Sequence, residues 1–166
     1  MSAYRSPSGL RIGHIHLHVS NLKRSLAFYR DVLGFDVNVE LPQMAFLSVD
    51  GYHQHIGLNT WSTAGVRSDH RPRPGLYHFA LNYPERRDLA RAVRQVLASG
   101  HALQGASDHT SHIAVYLADP DGNGIELACD RGPEHWMFWA NPDLDVTDMR
   151  SVNKPLDVGA LIREAD

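Results

Sequence analysis

The chain has a single cysteine, Cys129, among its 166 residues. One thiol closes no internal disulfide, so the fold has to be held by an apolar core, and a reducing cytoplasm is the expected setting. No apolar run approaches the ~20 residues needed to span a bilayer. The opening stretch, Met1 to Arg11, is polar and broken by Pro7 and Gly9, without the apolar segment of a secretory leader. A basic excess is also lacking: 16 Lys and Arg stand against 19 Asp and Glu, for a net charge of -3. That balance argues against nucleic acid or an anionic membrane as the main partner, since both select basic surfaces. What remains is an ordinary globular composition, 43% hydrophobic and 21% charged, long enough for one domain with a core of its own. The abundant residue is histidine, with 11 copies. Imidazole is both the commonest metal ligand and the acid/base that works near neutrality.

An internal repeat organises the chain. Arg11–Val19 alternates apolar and polar residues as a half-buried strand does. Asn21 is placed to cap a helix carrying Leu22, Leu26, Tyr29 and Leu33 at helical spacing, and Gly34 to end it. Short strands are expected at Phe35–Leu41, Met44–Val49 and His55–Asn59, the last two separated by a turn at Asp50-Gly51. The same order returns further on. A strand is expected at Leu76–Asn82 and a helix at Glu85–Ser99, with Leu89, Val93, Val96 and Leu97 on one face. Strands follow at His101–Gln104, Ile113–Leu117 and Gly124–Cys129, with Asp119-Pro-Asp-Gly122 as the turn between the last two. His14 and His78 are 64 positions apart, as are Val32 and Val96.

The expected fold is therefore α+β: two βαβββ units, about residues 10–62 and 75–130, paired into one half-open barrel with helices outside and a cleft within. The module takes residues 1–136, with a Ser-, Gly-, Pro- and Arg-rich linker from Trp61 to Pro74. Residues 137–166 form a tail with a short helix over Leu156–Glu164. The tail aromatics Trp136, Phe138 and Trp139 are expected to pack on the module or on a second copy.

His14 and His78 hold the same place in the two first strands, and Glu126 lies in the last strand of the second half. Two imidazoles and a carboxylate that converge on one ion leave its opposite face open, which suits non-haem Fe(II) or Mn(II). His16 and His18 share the strand parity of His14 and compete with it as ligands. Setting Ile56 onto Ile125 puts Gly57 opposite Glu126, so one metal site is expected and not two. Cys129, three residues beyond Glu126, falls on the other face as a packing residue.

Five blocks carry a resemblance to a known family. They are Gly13-His14 with Ser25–Tyr29 and Val32–Phe35; Gly51–Trp61; Tyr77–Leu81; Gln104–His109; and Asp119–Leu127. Together they resemble the glyoxalase/bleomycin-resistance/dioxygenase (vicinal oxygen chelate) superfamily, in its catechol-2,3-dioxygenase-like branch, from about Leu10 to Trp136. The resemblance implies His14, His78 and Glu126 as metal ligands. It further implies His55 beside the oxygen site, Tyr116 against the bound catecholate and His109 as acid/base, with His53 and His112 as alternatives. The implied reaction is extradiol ring cleavage of a small aromatic diol by O2 at Fe(II), or Mn(II), in a homodimer. A glyoxalase-like lyase or isomerase, a fosfomycin-type thiol transferase and an aromatic-drug-binding resistance protein use the same fold. This chain departs from the pattern in four ways. His109 stands about two residues closer to Tyr116, His112 stands where close relatives often carry an acidic residue, Gly132 interrupts an Asp-Arg-Pro sequence, and one module is present where well-characterised ring-cleaving enzymes generally carry two.

Overall fold

In the computed structural model of the chain, residues 4–67, 74–143, 145 and 147–166 are described. They fall into two units, residues 1–67 and 68–166, each with its own open sheet. Of the linker read between Trp61 and Pro74, residues 61–65 form a turn, and residues 68–73 lie outside the described residues. No described helix is long and apolar enough to cross a membrane.

In the first unit the alternating histidine stretch condenses to a short strand, β1 (Ile15–His18). The Asn21 side chain accepts the Arg24 N–H at 2.9 Å and starts α1 (Leu22–Leu26). The helix then widens over Ala27–Val32, where the Leu33 N–H reaches back five residues to the Phe28 carbonyl at 3.1 Å. The wide turn rotates the apolar stripe. Phe28 and Tyr29 are buried, while Leu33, read on the same face, is only half-buried. Gly34, at φ +79°, adopts the left-handed conformation that ends the helix. Strands β2 (Asp36–Leu41), β3 (Met44–Ser48) and β4 (Ile56–Asn59) complete a sheet of order β1-β4-β3-β2, with β1 and β4 parallel. Leu17, Ala45, Leu47, Ile56 and Leu58 form its buried face.

The second unit repeats this order. It contains β5 (His78–Asn82), α2 (Arg86–Ala98), β6 (Gly105–Asp108), β7 (His112–Ala118) and β8 (Gly124–Asp130), in a sheet of order β5-β8-β7-β6. Here β5 and β8 are the parallel pair. The strand read at His101–Gln104 forms instead at Gly105–Asp108, because that is where β7 offers a partner: Gly105 lies opposite Tyr116 and Ser107 opposite Ala114. Leu97, read on the buried face of α2, is 41% exposed, and Ala90 takes that place beside Leu89, Val93 and Val96. At the β7–β8 turn the buried Asp119 carboxylate accepts the N–H groups of Asp121 and Asn123, both at 2.9 Å.

The C-terminal segment joins this unit. After α3 (Met149–Val152), β9 (Lys154–Pro155) adds a fifth strand against β6. Then α4 (Val158–Arg163), capped by Asp157, packs on α2 through the buried Leu161. Trp136 and Trp139 remain 49% and 59% exposed.

The two registers superimpose the repeat residue by residue. Ile15 pairs with Ile56 in the first unit, and Phe79 with Ile125 in the second. Phe46 faces Gly57, and Tyr116 faces Glu126. His14 thus corresponds to His78, Gly57 to Glu126, and Phe46 to Tyr116. A Cβ on Gly57 would fall 2.8 Å from Nδ1 of His16. In the first unit an imidazole therefore fills the space that a carboxylate takes in the second.

Candidate metal centre

Strand β8 sends Ile125, Leu127 and Cys129 to the buried side of its sheet and Glu126 to the other, as its alternation requires. Glu126 is only 6% exposed, so its carboxylate must be compensated by partners. Both oxygens have one. Oε2 lies 2.9 Å from His78 Nε2, and Oε1 accepts from His112 Nε2 at 3.0 Å. The His112 hydrogen bond, reinforced by the charge of the nearby histidines, holds the Glu126 carboxyl below its ordinary value against the opposing cost of burial. His78 comes this close because its neighbour on β8 is glycine. A Cβ on Gly124 would fall 2.3 Å from the Tyr77 carbonyl oxygen and 3.0 Å from His78 Cβ.

Beyond the carboxylate lies a second layer. The Tyr116 ring sits 5.7 Å from that of His78, and its hydroxyl is 2.6 Å from His109 Nε2. Burial, and then the charge of Glu126, push the Tyr116 hydroxyl up to about 12. It keeps its proton at neutral pH, and its hydroxyl can donate to His109 or accept from it, as the histidine tautomer requires. The His109 ring stacks on that of His112 at 4.7 Å and 23°. His112 Nδ1 faces Ser111 Oγ at 2.9 Å, and His109 Nδ1 faces Asn153 Oδ1 at 2.5 Å.

The β6–β7 loop that carries these histidines is braced. Thr110 takes a left-handed conformation at φ +69°, which costs energy for a β-branched residue. Its N–H donates to Asp108 Oδ1 at 2.9 Å, while Arg131 holds the Asp108 carboxylate at 2.8 and 2.6 Å and the Thr110 carbonyl at 2.7 Å. Burial opposes ionisation of Asp108, but the Arg131 hydrogen bonds and the Thr110 N–H outweigh it and lower its pKa.

Of the six residues singled out in the sequence, His78, His109, Tyr116 and Glu126 are gathered in the second unit. His14 and His55 stand in the first. The His14 ring lies edge-on to His53 at 6.4 Å. His55 packs on Tyr52 at 4.7 Å, and its Nδ1 accepts the Val49 N–H at 3.3 Å, so its proton belongs on Nε2. The two competitors of His14 have other engagements. His18 Nδ1 pairs with Asn59 Oδ1 at 2.9 Å, and the His16 ring packs between Phe46 and Trp61. Sequence reading missed Ser111 and Asn153. Neither lies in a periodic segment, and no local signal joins Asn153 to a loop 44 residues away.

The donor set suits a divalent cation of borderline hardness, since it offers imidazole nitrogens and a carboxylate with no thiolate. Among the described residues, ligand atoms of His109, His112 and Glu126 all lie within 4.8 Å of one another. A buried carboxylate bracketed by imidazoles is the electrostatic environment in which such a cation replaces protons and hydrogen bonds.

Comparison with known proteins agrees with this chemistry. Over 126 residues the chain is 40% identical to the catechol-2,3-dioxygenase of Bacillus subtilis (strain 168), covering 76% of this chain and 44% of that protein. Over 120 residues it is 32% identical to biphenyl-2,3-diol 1,2-dioxygenase 3 of Rhodococcus globerulus, covering 72% of this chain and 63% of that one. The chain thus spans less than two thirds of either relative. A solved glyoxalase/dioxygenase from Nostoc punctiforme shares its fold at a TM-score of 0.62 and 23% identity, over 79% of this chain and 99% of the other. The profile of one family matches residues 11–127, and the chain belongs to that family, the glyoxalase/bleomycin resistance protein/dioxygenase superfamily.

Proposed function

We propose that the chain is an extradiol dioxygenase that opens the ring of a catechol-type aromatic diol with O2, holding Fe(II), or Mn(II), with His14, His78 and Glu126. One observation carries the reading: a buried carboxylate, Glu126, bracketed by imidazoles, with a tyrosine hydroxyl and a further histidine directly beyond it. The names of the two relatives, both diol dioxygenases, point the same way. When bound, the ion supplies what side chains lack, namely acidification of a chelated diol and electron exchange with dioxygen.

The chain's own residues manage binding and protons. Tyr116, protonated at neutral pH, donates a hydrogen bond to a diol oxygen. His109 accepts the diol proton on Nε2, the nitrogen that now faces the Tyr116 hydroxyl. His55, with its proton on Nε2, is the donor on the oxygen side. The carbon–carbon bond beside the diol breaks and both oxygen atoms enter the product, so no external reductant is consumed. Within the same family a glyoxalase-type isomerase generally needs a fourth protein ligand, and Gly57 offers none at the repeat position of Glu126.

A second ligand set has its own support, because donor atoms of His109, His112 and Glu126 already lie within 4.8 Å of one another. Both nitrogens of His109 are engaged, by Tyr116 and Asn153, as are those of His112, by Glu126 and Ser111. Metal content separates the two sets. Loss on His14→Ala and retention on His109→Ala favours the first, and the reverse pattern the second. The activity is tested by anaerobic Fe(II) loading followed by a panel of catechols, with oxygen uptake and visible product absorbance recorded. Absence of uptake with every catechol, despite bound iron, refutes ring cleavage.

A further inference from the structure

We propose that Asn153, in the C-terminal segment beyond the matched family region, is a positioning residue that holds the proton of His109 on Nδ1 and thereby presents Nε2 as the basic nitrogen beside Tyr116. The consequence for turnover rests on the ring-cleavage reading, whereas the assignment of the proton does not.

Three independent contacts bring Asn153 to this place. Strand β9 pairs with β6 immediately after it, Ser107 opposite Pro155 and Asp108 opposite Lys154. The Ser107 hydroxyl donates to the Lys154 carbonyl at 3.3 Å, and the Thr110 hydroxyl to the Val152 carbonyl at 3.4 Å. Val152 itself is buried. The residue between these anchors therefore cannot swing far from the β6–β7 loop. Its Oδ1 faces His109 Nδ1, and an amide oxygen can only accept, so that nitrogen must carry the hydrogen. On the other side of the ring, Tyr116 has a hydroxyl to donate and faces Nε2. The Asn153 contact selects one neutral form, and the Tyr116 hydroxyl, able to donate, is compatible with it. Unconstrained histidine prefers its proton on Nε2, so the opposite form needs an acceptor to hold it, and the partner of one ring nitrogen decides what the other can do. A ring with Nε2 already protonated would donate to the Tyr116 oxygen instead and could not take a proton from a diol.

The test uses the full metal-free protein with 15N-labelled histidine rings, as wild type, Asn153→Ala and Asn153→Asp, at a pH where His109 is neutral. Wild type and Asn153→Asp, which keeps an acceptor oxygen, are expected to give the ring-nitrogen pattern of a proton on Nδ1. Asn153→Ala is expected to move that proton to Nε2. In the iron-loaded enzyme Asn153→Ala should lose roughly 10-fold in kcat at little-changed KM and metal content, and Asn153→Asp should recover most of that loss. The proposal is overturned if wild type carries its proton on Nε2, or if Asn153→Ala leaves the ring pattern unchanged while its melting curve shows a folded protein. Expected ring patterns in a protein that consumes no oxygen with any catechol would uphold the proton assignment and refute only the ring-cleavage reading.

Discussion

Replacing Tyr116 with Phe separates metal binding from the handling of the diol. The substitution deletes one hydroxyl, which is hydrogen-bonded to His109 Nε2 at 2.6 Å, and keeps the ring that packs 5.7 Å from His78. A neutral hydrogen bond contributes about 1 kcal/mol net. Tyr116 and His109 are both half-buried, so water can replace the lost partner and the full cost of an unsatisfied buried nitrogen is not reached. For a chain of this size the melting temperature should fall by about 2–4 °C. The fold itself offers the control: Phe46 holds the corresponding register position in the first unit, opposite Gly57, so a phenylalanine fits this pleat. Metal content after loading and gel filtration should not change, because the hydroxyl is no ligand. Turnover, followed by oxygen uptake, should drop on the order of 100-fold, as for removal of a hydrogen-bond donor aimed at developing charge, or about 2.7 kcal/mol of barrier. Loss of metal in Tyr116→Phe, or unchanged turnover, would refute the role given to this residue.

Glu126→Gln and His78→Ala should each abolish stoichiometric metal in elemental analysis. His112→Ala, which removes the hydrogen bond to Glu126 Oε1 along with the Ser111 contact and the stacking on His109, should keep the metal but bind it roughly 10–100-fold more weakly. Gly57→Ala pushes a methyl group against the His16 ring, with contacts of 2.8 to 3.0 Å, and should cost about 1–3 kcal/mol in denaturant unfolding. Acid should loosen the β6–β7 loop. The carboxyl of Asp108 is lowered in the folded state, so its stabilising share is complete above the unfolded value of about 3.9 and is lost as pH falls through the lower folded value. Asp108→Asn should flatten the acid limb of the stability profile by that share, and an unchanged limb would show that the Arg131 pair contributes nothing.

Much of the site could be read from the chain because repetition turns spacing into geometry. Once His14 and His78 occupy equal places in two copies of one βαβββ pattern, the pairing register makes Glu126 the counterpart of Gly57, and parity puts Cys129 on the opposite face of β8. Tyr116 followed from the resemblance, and the register puts it directly across from Glu126. Other positions within the repeat were harder. His112 was only an alternative acid/base, yet it is bonded to the carboxylate. The stretch read as a strand at His101–Gln104 slid to Gly105–Asp108, since a short strand without strong alternation takes its limits from its partner.

The sequence by itself determined the elements, their order, the apolar faces and the residue types able to hold a cation, because all of these depend on neighbours within a few positions along the chain. Only the tertiary structure decided which imidazole nitrogen meets which oxygen, and that a two-residue strand in the tail delivers Asn153 to His109. His78 and Glu126 meet only through the β5–β8 register, and Asn153 reaches His109 across 44 positions only once β9 has docked on β6; no local preference encodes either pairing.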